Sequence, residues 1–185
     1  MPPGLDSPAA SFDQPYEMLE ACHDRVHRTL RLLVRLIEHL DARGADLMAR
    51  DAARDVLRYF DRAAPHHHED EERHVFPPLL AGGEERLVAL VRRLRSDHRT
   101  MEDLWSRLRP VLEDIAHGRR AAWPAGARAD ADAFVALYEA HIALEEEAAY
   151  PAARPRMHAG SLEVMSRDMA VRRGVEWPTP SGGRG

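Results

Sequence analysis

The stretch His67-His68-Glu69-Asp70-Glu71-Glu72-Arg73-His74-Val75-Phe76-Pro77 recurs in outline as His141-Ile142-Ala143-Leu144-Glu145-Glu146-Glu147-Ala148-Ala149-Tyr150-Pro151. Both copies carry His at i, Glu at i+4 and i+5, an aromatic at i+9 and Pro at i+10. On a helix, i and i+4 share a face, so each copy aims one imidazole and one carboxylate the same way. Two such helices face to face offer two nitrogen and two oxygen ligands to one space. The repeat therefore predicts a metal site inside a helical bundle.

The pattern widens on either side of these motifs. Helix 1, expected from Pro15 to about Leu40, has apolar positions Leu19, Val26, Leu30, Leu33, Ile37 and Leu40, and His23 fills the one gap. A later helix steps strictly by four and three through Leu87, Val91, Leu94, His98, Met101, Trp105, Leu108, Leu112 and Ile115, again with a histidine in the seam. His23 precedes His67 by 44 residues and His98 precedes His141 by 43, so the chain consists of two similar halves. Each half holds a lone seam histidine and then a His-xxx-Glu pair. The candidate ligands are His23, His67, Glu71, His98, His141 and Glu145.

A lone histidine on an apolar face is usually a satisfied core residue. Four at matched separations, with two carboxylates one turn on, are not explained that way, because buried carboxylates cost several kcal/mol each unless paired or metal-bound. Six N4O2 ligands exceed the needs of one tetrahedral zinc and suit two ions. Imidazole with carboxylate is compatible with iron, manganese or zinc. Cys22 lies about 100° round the helix from His23 and reads as a core or flank residue.

The rest of the chain fits an all-α fold: an antiparallel up-down-up-down four-helix bundle with a short C-terminal fifth helix. Residues 1–14 read as a disordered lead-in, 15–151 as the bundle, 152–173 as a short helical extension and 174–185 as a flexible tail. Helix 2 is expected from about Ala45, with Leu57, Phe60, Ala64, His67, Glu71 and Val75 on its stripe. Pro65 should kink or split it, and Pro77-Pro78 should end it. Pro110 should bend helix 3. Helix 4 is expected over 127–150 with Phe134, Leu137, His141, Leu144 and Ala148 on its seam, and helix 5 over 161–171.

Of 185 residues, 31% are charged and 6% aromatic, and the formal net charge is −5, which gives no basic footprint for nucleic acid. A single cysteine cannot form an internal disulfide, so a reducing, cytoplasmic setting is expected. The first residues lack the basic and apolar regions of a signal peptide, and no run approaches the roughly 20 apolar residues of a membrane span.

The seam histidine His23, the pair His67-xxx-Glu71, His98, the pair His141-xxx-Glu145 and the Glu-Glu-xxx-[Phe/Tyr]-Pro continuations resemble the bacterial hemerythrin-like, or HHE cation-binding, domains. The resemblance covers about residues 15–151. It implies two iron ions bridged by the two glutamates and an oxo or hydroxo group, with zinc or manganese as substitutes. It also implies binding or sensing of O2, NO or peroxide, or iron handling, and a protein partner if the domain signals. The oxygen-carrying hemerythrins have a His-xxx-His pair on the third helix and an Asp five residues after the last histidine; here Glu102 and Glu146 hold those places.

A ferritin-like di-iron oxidase or peroxidase is the competing enzyme reading, because Glu20-xx-His23 and Glu71-xx-His74 fit its Glu-xx-His spacing. No glutamate stands three before His98 or His141, so the order His-then-Glu favours a binding and sensing module. No catalytic acid, base or nucleophile is assigned. His27, Glu102, Glu72 and Glu146 are further candidates for the coordination shell. Glu69, Asp70, Glu72, Glu146 and Glu147 otherwise read as a solvated acidic rim, and His66 and His68 as facing solvent or a neighbouring helix.

Overall fold

A computed structural model describes residues 12–177, all of whose regular structure is helical. Most of the expected lead-in and tail, residues 1–11 and 178–185, lie outside the described residues. Helix α1 spans Pro15–Arg43, with Pro15 in its first turn, where no backbone N–H is needed. Gly44 ends it at φ 73°, a left-handed conformation that glycine adopts without a Cβ penalty.

Helix α2 covers residues 47–80 without a break, beginning after Asp46, whose side chain accepts from the Ala49 N–H. Helix α3 spans Glu85–Ala116 and runs unbroken through Pro110. Helix α4 covers residues 125–156, ending in a 3-10 turn over Arg154–Arg156. Helix α5 is Ala159–Arg172, capped by the His158 side chain, which accepts from the Ser161 N–H.

Pro65 does not split helix 2, and the helices expected to end at Pro77 and before Pro151 continue past them. Each proline is preceded by a π turn, over Tyr59–Ala63, Glu71–Val75 and Glu145–Ala149, and each follows that turn at its second residue as Pro65, Pro77 and Pro151. The turns are closed by N–H groups of Ala64, Phe76 and Tyr150 donating to carbonyls five residues back. A widened turn already leaves the i→i−4 ladder, so a ring that lacks an N–H and crowds the preceding turn is accommodated there. Helix α2 accordingly continues past Pro77 and Pro78 to Leu80, and α4 past Pro151.

The seam of α4 also differs from the expected one. On α4 the buried positions are Ala131, Phe134, Tyr138, His141, Ile142, Glu145, Ala149, Tyr150 and Ala153, while Leu137, Leu144 and Ala148, expected on the stripe, are half-buried. Trp105 on α3 is also half-buried, lying on Phe60 and Phe134 and donating its indole N–H to Asp61.

Two apolar clusters fill the interior. One gathers Val26, Leu33, Phe60, Ala64, Met101, Leu108, Phe134, Tyr138 and Ile142. The other gathers Leu19, Val75, Phe76, Leu94, Ala149, Tyr150, Met165 and Met169. On every long helix the expected ligands fall between a residue of the first cluster and one of the second. They form a buried polar layer with hydrophobic packing above and below. Helix α5 closes the second cluster with Met165 and Met169, both fully buried.

Asp70, expected on a solvated rim, is 0% exposed and forms ion pairs with Arg172 and Arg173 at the end of α5. The rim reading failed because the sequence does not show that α5 folds back over this face of α2.

Candidate metal centre

The six expected side chains come from α1 to α4 and converge in the polar layer. His23, His67, Glu71 and Glu145 each offer one atom to a group whose members lie within 4.8 Å of one another. Glu71, His98, His141 and Glu145 form a second such group. All six are buried, and the two carboxylates, at 0% exposure, belong to both groups.

The Nε2 atoms of the four imidazoles face this common space. His67 Nε2 lies 3.3 Å from Glu71 and His141 Nε2 3.0 Å from Glu145. His23 Nε2 lies 3.2 Å from Glu145, and His98 Nε2 is 3.5 Å from Glu71 and 3.1 Å from His141 Nε2. The Nδ1–H of His23 donates to Glu146 at 2.8 Å, and that of His98 to Glu72 at 3.0 Å. A cation in the common space would select the neutral tautomers, in which both Nε2 atoms present lone pairs inward.

This arrangement has a surplus of acceptors. Both Glu145 oxygens and Glu71 Oε2 make no hydrogen bond within the described residues, although they are buried. Native interiors rarely leave such groups unpaired, and each costs about 1–3 kcal/mol when they do. Buried oxygens left unpaired among converging ring nitrogens fit a cation.

The ionisation behaviour has the same origin. Burial and the charge of Glu71 push the Glu145 carboxyl well above its usual range. Burial alone would raise Glu71 as well, but the neighbouring imidazoles hold it well below that range. Burial lowers His67 to about 3, so it is neutral, and the charge that stabilises Glu71 comes from His98, which is raised. Burial opposes charging of His23 too, yet Glu145, Glu71 and Glu146 together raise it to about 8. Two adjacent buried carboxylates cannot both ionise cheaply without positive charge between them.

Tyr150 is a member of the site to which sequence reasoning assigned no role. Its hydroxyl donates to Glu71 at 2.5 Å and lies 3.2 Å from His23 Nε2, with the ring stacked on His23. Burial and Glu71 raise this phenol well above 10, so it remains a donor. At about 100° per residue, i+9 points away from i on a regular helix, which hid Tyr150 from periodicity. The π turn at Glu145–Ala149 brings it back. Phe76, its counterpart in the first copy, stacks on His98 without a hydroxyl. The only prior signal was this Phe/Tyr difference.

A family model of the Hemerythrin HHE cation binding domain matches residues 14–153. The chain belongs to the hemerythrin HHE cation-binding family. An uncharacterized protein of Haemophilus influenzae is 32% identical over 172 residues, covering 90% of this chain and 94% of that protein. The buried His and Glu groups fit the metal binding of an HHE domain.

The remaining candidates of this HHE domain lie elsewhere. Glu102 is exposed, and neither it nor the half-buried His27 belongs to either ligand group. Glu72 and Glu146 bond the outer nitrogens of His98 and His23 rather than reaching the common space. Glu20 pairs with Arg154, and His74 with Asp168 of α5, so two residues of the ferritin-like spacing are engaged away from the centre. His68 is buried and stacked on His98 at a 4.0 Å ring separation. Cys22 is buried and outside both groups.

Proposed function

We propose that this HHE domain holds two iron ions and binds or senses O2, NO or peroxide, as a module rather than an enzyme. The observation that carries this reading is that both four-residue groups use the same two carboxylates, Glu71 and Glu145. Two ions, each with two imidazoles and a share of both glutamates, satisfy every orphaned oxygen at once. When bound, a carboxylate-bridged iron pair supplies redox chemistry toward small oxidants. Zinc or manganese can substitute, since affinity alone does not select iron from these donors.

The chain's own residues hold the pocket. Glu71 and Glu145 would be shared by the two ions, with His23 and His67 holding one and His98 and His141 the other. Tyr150 fixes Glu71 through its hydroxyl on one side only. Phe76 and the apolar layers exclude water above and below. Neither the His27 imidazole nor the Glu102 carboxylate belongs to either ligand group, so the six side chains would leave room for a small ligand beside the ions.

We infer an antiparallel up-down-up-down order for α1 to α4. It is supported by the pairs His23–Glu146 and Arg128–Asp41 between α1 and α4, and by His98–Glu72 and Trp105–Asp61 between α2 and α3. No described helix is long and apolar enough to cross a membrane. We assign the protein to the cytoplasm, on its buried single cysteine, and we assign signalling to a protein partner met through α5, without nucleic acid.

The test is anaerobic reconstitution with ferrous iron, followed by metal analysis and an absorption spectrum after oxidation. Two irons per chain and near-ultraviolet charge-transfer bands are expected. A His67→Ala/His141→Ala double variant should lose both. Iron-free wild-type protein, or iron retained by the double variant, overturns the reading.

A further inference from the structure

The two motifs each carry a second glutamate, and the structure gives both the same task on different helices. Glu146 follows Glu145 on α4 but turns to α1, where it accepts from His23 Nδ1 at 2.8 Å. Glu72 follows Glu71 on α2 but turns to α3, where it accepts from His98 Nδ1 at 3.0 Å. Each motif thus points one carboxylate into the centre and the next one at the back of a seam histidine supplied by the neighbouring helix. The two remaining imidazoles are held differently. His141 Nδ1 lies 3.5 Å from Asp97, and His67 Nδ1 has no hydrogen-bond partner among the described residues.

A neutral imidazole has two tautomers and a ring that rotates, and only one arrangement offers Nε2 to the centre. A carboxylate accepting from Nδ1–H selects that tautomer, fixes the ring plane and makes Nε2 a stronger donor to a cation. Glu72 and Glu146 can do this at little cost to the fold, because they are 41% and 46% exposed, and the second oxygen of Glu72 lies 3.7 Å from the Arg95 Nε.

We propose that Glu146 and Glu72 are positioning residues for the two ions separately: Glu146, through His23, for the ion shared with His67, and Glu72, through His98, for the ion shared with His141. This inference rests on the dinuclear reading above. It also answers why the glutamates come in adjacent pairs. The first of each pair is common to both ions, whereas the second belongs to one.

The experiment is anaerobic titration of the full chain with ferrous ion against a competing chelator. It compares wild type with Glu146→Ala, Glu72→Ala and the corresponding Gln variants. Removing an outer carboxylate from a ligand histidine typically weakens metal binding about 10–100-fold. Each Ala variant should therefore lose about that factor for one ion and keep the other. The Gln variants, whose amide oxygen still accepts from Nδ1–H, should recover most of it. The Gln variants, which keep the acceptor, should retain the metal-free melting temperature of wild type, which separates positioning from a general loss of structure.

Site assignment follows from a His67→Ala background. There Glu146→Ala should add little, while Glu72→Ala should still weaken the ion that remains. Wild-type affinity in both Ala variants overturns the inference. So does equal weakening of both ions by either variant, or Gln behaving as badly as Ala. If wild type itself binds no iron, the dinuclear reading falls with it; if wild type binds two and the variants match it, only this inference falls.

Discussion

Glu145→Met should make the metal-free protein more stable, although it removes a side chain from the middle of the bundle. Glu145 is 0% exposed, and neither of its oxygens makes a hydrogen bond within the described residues. An unsatisfied buried polar group costs about 1–3 kcal/mol. A flexible apolar side chain of similar length removes that cost and adds contacts. His23 keeps Glu146 and Tyr150 as partners after the change, so no second group is orphaned on that side. At about 2–4 °C per kcal/mol for a chain of this size, the gain in melting temperature is about 2–12 °C. Iron reverses the order. An ion present at about 100 times its dissociation constant stabilises the fold by about 2.7 kcal/mol, and two ions by about twice that. The variant, lacking a carboxylate shared by both positions, forfeits most of this. Thermal melts followed by circular dichroism, with chelator and with anaerobic ferrous iron, should therefore cross: the variant melts higher without metal and lower with it. A variant destabilised by more than about 1 kcal/mol in chelator would refute the reasoning, because the carboxylate would then be contributing to the fold itself.

Three further outcomes are expected. Replacing both Arg172 and Arg173 by Met leaves Asp70 buried without a counter-charge, which should cost about 3–5 kcal/mol or release α5; hydrogen exchange across 159–172 reads either result, and unchanged protection there would show that the ion pairs do not hold the helix. Phe134→Ala, within the aromatic cluster of Phe60 and Tyr138, should lose about 3–5 kcal/mol in urea unfolding yet keep wild-type iron per folded chain. The third concerns pH in the metal-free protein. His67 is held down at about 3, so its contribution is full above its unfolded value of about 6.5 and is lost as pH falls toward 3. His23 is held up at about 8, so its contribution is full below about 6.5 and is lost as pH rises through 8. Melts with chelator from pH 3 to 9 should fall on both sides of about 6.5, and substituting His23 by Gln should flatten the alkaline limb.

Much of the centre was legible in one dimension. His23, His67, Glu71, His98, His141 and Glu145 converge in the polar layer as the seam pattern required, because i,i+4 spacing on a helix is a local property. The matched separations of 44 and 43 residues fixed which helices supply which ligand. The four long helices were equally readable, since the α1 and α3 stripes are periodic and nearly every position on them is buried.

What periodicity could not reach depended on changes of helical register and on contacts between distant segments. The π turns at Glu71–Val75 and Glu145–Ala149 each absorb one residue, carry α2 and α4 past prolines that should have ended them, and bring Tyr150 to Glu71. Asp70 reads as one more acid in an acidic run until α5 brings Arg172 and Arg173 onto it. The Glu-Glu ambiguity was of the same kind. Spacing favoured Glu71 and Glu145 for the centre, but only the packing of α1 against α4 and α2 against α3 gave Glu146 and Glu72 their own partners. Sequence by itself determined the ligand types and the faces that carry them, because those follow from the geometry of a single helix. Tertiary structure decided which acid enters the polar layer, which bonds the back of a histidine and which anchors α5, because each of those places exists only where a second helix supplies the other half.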